Sequence, residues 1–330
     1  ITANQKKAGI LAVAGDLFDK TNVSDQAVAE SINILDKFAG DVILILPGNH
    51  DYQDGANELW SRFREKMKGR MLLLDEQKIY KLNDFGIDAA VYPAYCDRRL
   101  SENNNLDWIK NLEERSDNKY QLGIAHGALA GFSPDLTDSY FKMSREELLA
   151  LNMDLWLLGH SHLPYPEQKE VVNQKIFNNS TPEPDGMDCS HPGYCWFIEL
   201  KENKGLRAER IRSGNFHFSD LEFKVNSLNK LEKLSENILT DNPESKILRL
   251  RLNGELSREE FEEKEEYLNK IRDNCFYAKI DQNNLNIKID KELIAEEFAV
   301  DSFPYELLNE LEDDDQALNL AYKMLKEVQE

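Results

Sequence analysis

This sequence predicts a mixed α/β fold: a larger domain over residues 1–215, a smaller α/β module over 216–295, and an acidic helical tail over 296–330. Three observations carry that prediction. Short apolar runs alternate with amphipathic stretches from residue 9 to about 215. The runs are continuous rather than alternating, which suits strands covered on both faces. Past residue 216 the pattern changes to helical periodicity, an alternating strand and a terminal segment rich in acids.

The elements follow in order. The first run is Leu11–Gly15 (LAVAG) and the second Val42–Leu46 (VILIL). Between them Val28, Ile32 and Leu35 recur at helical spacing, with Gly40 just beyond. Trp60, Phe63 and Met67 mark one face of a second helix. Leu122–Ala125 (LGIA) is the third run, and Ser144 with Glu147 has the spacing of a capping box. The fourth run is Leu155–Gly159 (LWLLG), with further strands expected at Lys175–Asn178, Tyr194–Leu200 and Leu206–Arg212. In the module, Leu228, Leu231, Leu234 and Ile238 predict a helix, and Ile247–Leu252 a strand. Ser257 and Glu260 form a second capping box, and Phe276–Ile280 and Leu285–Ile289 read as two more strands. In the tail, Tyr305–Leu311 and Gln316–Val328 read as helices. The second carries Leu318, Ala321, Leu325 and Val328 as a stripe suited either to partner docking or to packing on its own domain.

With 330 residues and 41% hydrophobic side chains, the chain can bury a real core. That excludes collagen, chain-wide disorder and a disulfide scaffold. No uncharged apolar window of about 18 residues exists, and the opening ITANQKKAGI is too polar for a signal-peptide core, so no membrane association is expected. Cys96, Cys189, Cys195 and Cys275 read as reduced thiols, and the expected location is the cytoplasm. Forty basic against 61 acidic side chains leave a net charge of −21. A polyanion would be repelled by such a surface. Any phosphate-bearing ligand therefore needs a local positive source, such as metal ions or a partner subunit.

The chemistry lies where the runs end. Leu11–Gly15 leads into Asp16-Leu17-Phe18-Asp19, Val42–Leu46 into Pro47-Gly48-Asn49-His50-Asp51, Leu122–Ala125 into His126-Gly127, and Leu155–Gly159 into His160-Ser161-His162. Ligands of open α/β sheets collect beyond the carboxyl ends of strands. Four of the six histidines stand at these ends, with a glycine beside each group. Imidazole and carboxylate suit manganese, iron or zinc, and Asn49 adds a neutral oxygen ligand. Two divalent ions about 3.5–4 Å apart clamp the attacking and leaving oxygens of a phosphoryl displacement and lower the pKa of a shared water. Asp16 is the natural bridge between them. His50, next to Asn49, is placed to protonate the leaving oxygen, with Asp51 expected to orient it.

These residues resemble the calcineurin-like metallophosphoesterase superfamily, through GDLFD, GNHD, AHG and GHSH in that order. The resemblance implies a two-sheet sandwich flanked by helices. It implies two divalent ions, manganese first with iron or zinc as alternatives. Asp16 would bridge them, Asn49, His126 and His160 would complete one, and His162 would serve the other. His50 would be the catalytic non-ligand histidine. The superfamily's opening D-x-H motif is not in this sequence and is expected upstream of Ile1. The module placed directly after the phosphoesterase domain resembles, in layout, the DNA-facing capping domain of SbcD-type DNA repair nucleases, including the YhaO-like branch. That layout implies exonuclease and endonuclease activity on DNA, a coiled-coil ATPase partner of the SbcC type, and room for a homodimer.

Other functions stay open on the residues alone. A phosphoesterase acting on a nucleotide or phosphomonoester uses the same metal chemistry, and a scaffold that has lost its metals would keep the fold. Retention of His50 with its neighbours argues against the scaffold. Cys189, His191 and Cys195 lack a fourth ligand at zinc spacing. Arg98 and Arg99 read as a solvated pair, and Asp19 as a helix cap or a residue supporting the ligands.

Overall fold

The computed structural model describes residues 2–133, 139–189 and 191–329. It divides into two compact units, residues 1–185 with 191–215 and residues 186–190 with 216–330. In the first unit three parallel strands, β1 (Ile10–Ala14), β2 (Val42–Leu46) and β3 (Met71–Leu73), form one sheet with β2 in the middle. Alternate side chains of β2 face opposite ways, and both faces are buried. Ile43 and Ile45 pack on Val28, Ile32, Trp60 and Phe63 from the helices Asp25–Leu35 and Leu59–Lys66. Val42, Leu44 and Leu46 face the other way, into the main core. That double burial is why VILIL shows no polar alternation.

The remaining strands of this unit are β4 (Tyr80–Lys81), β5 (Ala89–Ala94), β6 (Tyr120–His126), β7 (Leu155–Gly159), β8 (Pro164–Tyr165), β9 (Glu170–Val172), β10 (Ile176–Asn179), β11 (Tyr194–Leu200) and β12 (Leu206–Arg212). A six-stranded sheet runs in the order β4-β5-β6-β7-β10-β8, and β11-β12-β9 form a third, antiparallel sheet. Val91, Leu122, Ile124, Leu155 and Phe177 of the large sheet share one core with β2 and with Leu206 and Ala208. Its opposite face packs Tyr92 and Trp156 on Ile109 and Leu148. Sheets therefore stack face to face with helices outside, the expected layered sandwich. The helix Arg145–Ala150 opens with the capping box of Ser144 and Glu147. Strand β5 was not anticipated, because AAVYPA is rich in alanine and holds Pro93, both depleted in strands.

The second unit is a three-stranded parallel sheet, β13 (His217–Val225), β14 (Lys246–Leu256) and β15 (Tyr277–Ile287), with β14 central. Leu231, Leu234 and Ile238 of the helix Leu228–Leu239, and Leu268 and Ile271 of Arg258–Asn274, pack on Leu248, Leu250 and Leu252. The Ser257–Glu260 capping box is present. Two expectations need correcting. Phe276–Ile280 and Leu285–Ile289 are not two strands: β15 runs through both, and a register shift opposite Arg251 and Asn253 absorbs the polar stretch between them. The tail stripe is also not a free face. Leu318 is buried with Ile294, Phe298 and Leu308, and Ala321 and Leu325 pack against that cluster. Val328, the last residue of the stripe, is exposed, as are Leu320 and Met324 of the same helix, Asp315–Gln329. The same cluster includes Ile289 and Ile294, so it spans the expected boundary between 295 and 296. No helix among the described residues is long and apolar enough to cross a membrane.

Candidate metal centre

Strands β1, β2, β6 and β7 deliver Asp16, Asn49, His126 and His160 from their carboxyl ends to one point. Asp16 and His160 leave their strands with φ of 54° and 97°, in the left-handed region that side chains other than glycine rarely enter. Such outliers concentrate at functional sites, where surrounding structure holds them. Asn49 Oδ1 lies 2.9 Å from His126 Nε2 and 3.2 Å from His160 Nδ1. Asp16 Oδ2 lies 3.1 Å from His126 Nε2. The potential ligand atoms of Asp16, His126 and His160 are all within 4.8 Å of one another. Two glycines permit this crowding. A Cβ on Gly48 would sit 2.2 Å from Asp16 Oδ1, and one on Gly159 would sit 1.8 Å from the Ala14 carbonyl oxygen.

The donor chemistry fits a cation. His126 Nδ1 lies 2.8 Å from Ala14 O, which can only accept, so that nitrogen carries the proton. Nε2 then presents a lone pair to Asn49 Oδ1 and Asp16 Oδ2, two further acceptors. Either a second proton on His126 or a metal ion reconciles three acceptors at such distances. The electrostatics say the same. Burial by itself would hold the His126 imidazole down, yet the Asp16 charge and hydrogen bond push its pKa above the ordinary value. Burial likewise opposes ionisation of Asp16, but His126 and the His50 backbone N–H, 2.9 Å from Oδ1, hold its carboxyl below the usual range. This oxygen and nitrogen set suits manganese, iron or zinc.

The other expected residues are placed as follows. His50 is partly exposed beside the centre, but its ring does not meet Asp51. Its Nδ1 lies 3.0 Å from Asp19 O and 3.5 Å from Asp19 Oδ1, so Asp19 is the residue that orients it. The expected role of Asp51 is corrected by its direction. Its carboxylate turns inward and accepts from Phe18 N–H at 3.0 Å and Gly48 N–H at 2.6 Å, tying the Asp16 and Asn49 loops together. Burial, with the Asp16 charge adding, pushes the Asp51 pKa up to about 7 against those two bonds. His162 stands outside the cluster, 63% exposed, with Nδ1 2.8 Å from Asp185 Oδ2. Sequence reasoning missed Tyr140, whose ring lies 4.8 Å from that of His160 between centroids. No spacing signal could have found it.

Residues 2–164 match the calcineurin-like phosphoesterase family. This chain carries a calcineurin-like phosphoesterase domain. The family indicates metal-dependent hydrolysis of phosphoester bonds. Over 164 residues the chain is 26% identical to YhaO of Bacillus subtilis (strain 168), described as an uncharacterized metallophosphoesterase. That stretch is 48% of this chain and 38% of YhaO, so well under half of that relative's length is matched. The phosphoesterase domain thus accounts for the strands that assemble the centre. The second unit lies outside the residues that match the family.

Proposed function

We propose that this chain is a two-metal phosphodiesterase acting on DNA, similar to SbcD-type nucleases, working in the cytoplasm with a coiled-coil ATPase of the SbcC type. The observation that carries the hydrolytic reading is the convergence of Asp16, Asn49, His126 and His160 with His50 alongside. Manganese is the expected metal, with iron or zinc as alternatives. When bound, two such ions neutralise phosphate charge and make water a usable nucleophile near neutral pH. Asp16 would be shared between the two ions, Asn49, His126 and His160 would hold the first, and His162 would serve the second once turned away from Asp185. His50, its ring fixed by Asp19, delivers a proton to the leaving oxygen. The Ala14 carbonyl keeps His126 in the tautomer that presents Nε2.

DNA is favoured over a small phosphoester by the separate three-stranded unit that follows the phosphoesterase domain. The charge of −21 sets the form of binding: weak without metal, and steeply dependent on salt. The test is Mn²⁺ titration by calorimetry with cleavage of end-labelled single- and double-stranded oligonucleotides. Wild type should bind Mn²⁺ and cut. His50→Ala should still bind Mn²⁺ but cut about 10²–10⁴-fold more slowly. A chain that binds Mn²⁺ and hydrolyses nucleotides but never a DNA backbone would refute the DNA assignment. Wild-type turnover in His50→Ala would remove His50 from the mechanism.

A further inference from the structure

Beside the metal centre, in the phosphoesterase domain, lies a cavity of about 580 Å³ lined by Gln53, Asp54, Gly55, Asp75, Tyr95, Asp97 and Arg98. It is built from the chain that continues directly out of the centre. Gln53 follows the Asn49–Asp51 loop and its N–H donates to Cys96 O at 2.9 Å, while Cys96 N–H donates to Pro47 O at 3.2 Å. The Cys96 thiol in turn donates to His126 O at 3.4 Å. Cys96 is therefore the partition: its chain neighbours Tyr95 and Asp97 face the cavity, and its sulfur abuts a candidate metal ligand. A group in the cavity lies about one or two residue lengths, at ~3.8 Å per residue, from that wall.

The lining selects its ligand by hydrogen-bond polarity. Asp75 is buried, its side chain only 3% exposed. Its Oδ2 takes both protein donors, Arg64 Nη2 and, at 3.3 Å, Gln53 Nε2. Its Oδ1 accepts from no described residue, so that oxygen keeps its lone pairs for a ligand at the cavity wall. Asp54 spends Oδ1 on the N–H groups of Ala56 and Asn57, at 2.8 and 2.9 Å. Asp97 is chelated by Arg98 through Nε and Nη2, at 3.2 and 2.8 Å, which leaves Arg98 Nη1 as a donor. Ionised carboxylates accept only, so the cavity rejects phosphate and wants N–H groups. It is not a second cation site: among the described residues the group that could hold a metal is Asp16, His126 and His160. Its volume lies within the range of sites that take small ligands, and Tyr95 supplies an aromatic wall for a planar ring.

We propose that this cavity is a nucleobase pocket that prefers guanine. Guanine presents N1–H and the 2-amino group side by side, for Asp75 and a neighbouring carboxylate, with O6 next to them for Arg98. Uracil and thymine carry one N–H between two carbonyl oxygens, which the carboxylates repel. The pocket rests on the nucleic-acid reading of the metal centre. It would place the base next to a phosphate held at the metals, while the acidic lining keeps phosphate out of the pocket itself.

The experiment uses the full chain without metal. Saturation-transfer NMR titrations with guanosine, inosine and uridine read base binding with no phosphate present. Guanosine should bind saturably, inosine, which lacks only the 2-amino group, about tenfold more weakly, and uridine more weakly still. Asp75→Asn should bring guanosine to the inosine level. Equal binding of guanosine and uridine would overturn the proposal without requiring any variant to fold. Hydrolysis of bis(p-nitrophenyl) phosphate with Mn²⁺ is measured in parallel. A chain that hydrolyses this diester yet binds no nucleoside refutes the pocket alone. One that binds guanosine but hydrolyses nothing refutes the reading of the metal centre and leaves the pocket standing.

Discussion

Gly159→Ala should damage the metal centre through a backbone atom that is not itself a ligand. The new Cβ would meet the Ala14 carbonyl oxygen at 1.8 Å and His126 Nδ1 at 2.9 Å. Ordinary contact begins at 3.4 Å, so the carbonyl must retreat by roughly 1.6 Å. That carbonyl accepts the His126 Nδ1–H bond at 2.8 Å, and a retreat of that size breaks it. Overpacking of a closed site costs about 1–3 kcal/mol, and the lost hydrogen bond adds about 1 kcal/mol. At about 2–4 °C per kcal/mol for a domain of this size, calorimetry should show Tm falling by roughly 4–16 °C. Freed from its orienting carbonyl, His126 should weaken Mn²⁺ binding by about 10–100-fold. Gly69→Ala is the control, because a Cβ there meets nothing within 4 Å and should change stability by less than about 0.5 kcal/mol. If Gly159→Ala keeps its Tm within 1 or 2 °C and its Mn²⁺ affinity, roughly the noise of such assays, the proposed coupling from Gly159 through Ala14 to His126 is wrong.

Three further outcomes follow from the same geometry. Asp51→Ala strips the Phe18 and Gly48 N–H groups of their acceptor and should cost about 2–4 kcal/mol in urea denaturation, with Mn²⁺ affinity falling as the two loops separate. Asp19→Ala removes the carboxylate 3.5 Å from His50 Nδ1 but keeps the backbone carbonyl that holds the ring, so it should slow diester cleavage by less than His50→Ala does and leave the Mn²⁺ titration as in wild type. In the tail, Leu318→Ala should cost about 2–5 kcal/mol because Leu318 is buried against Phe298 and Leu308. Met324→Ala should stay within about 0.5 kcal/mol, since Met324 is exposed.

What could be read from the sequence divides along a physical line. Continuous runs such as VILIL and LWLLG announce strands buried on both faces. The polar residues at their ends announce a site, and Asp16, Asn49, His126 and His160 do meet there. Direction within a loop is another matter. Asp51 follows His50 in the chain, yet its carboxylate points into the protein toward Phe18 and Gly48, while Asp19, thirty-one residues away, reaches the imidazole. His162 sits two residues past His160 but turns to Asp185. Spacing along the chain bounds where a Cα falls; the rotamer and the neighbouring backbone decide where the side chain goes. Strand β5 was hidden for a different reason. Alanine and proline carry little strand preference, and the burial that makes AAVYPA a central strand comes from partners far away in sequence.

The separation of the ligands along the chain has a kinetic face. Asn49 meets partners 77 and 111 residues distant, and His126 reaches back 112 residues to Ala14. Contacts closing loops that long form late, so no fragment or early intermediate owns this cage. An ion that binds only the finished cage then acts as a latch on the native state, adding about 2.7 kcal/mol when free metal stands at a hundred times its dissociation constant. Chelated protein should therefore open more often to proteases across the whole first unit, including strands far from the metal, and the cell's divalent-ion supply would govern the enzyme's lifetime as well as its turnover.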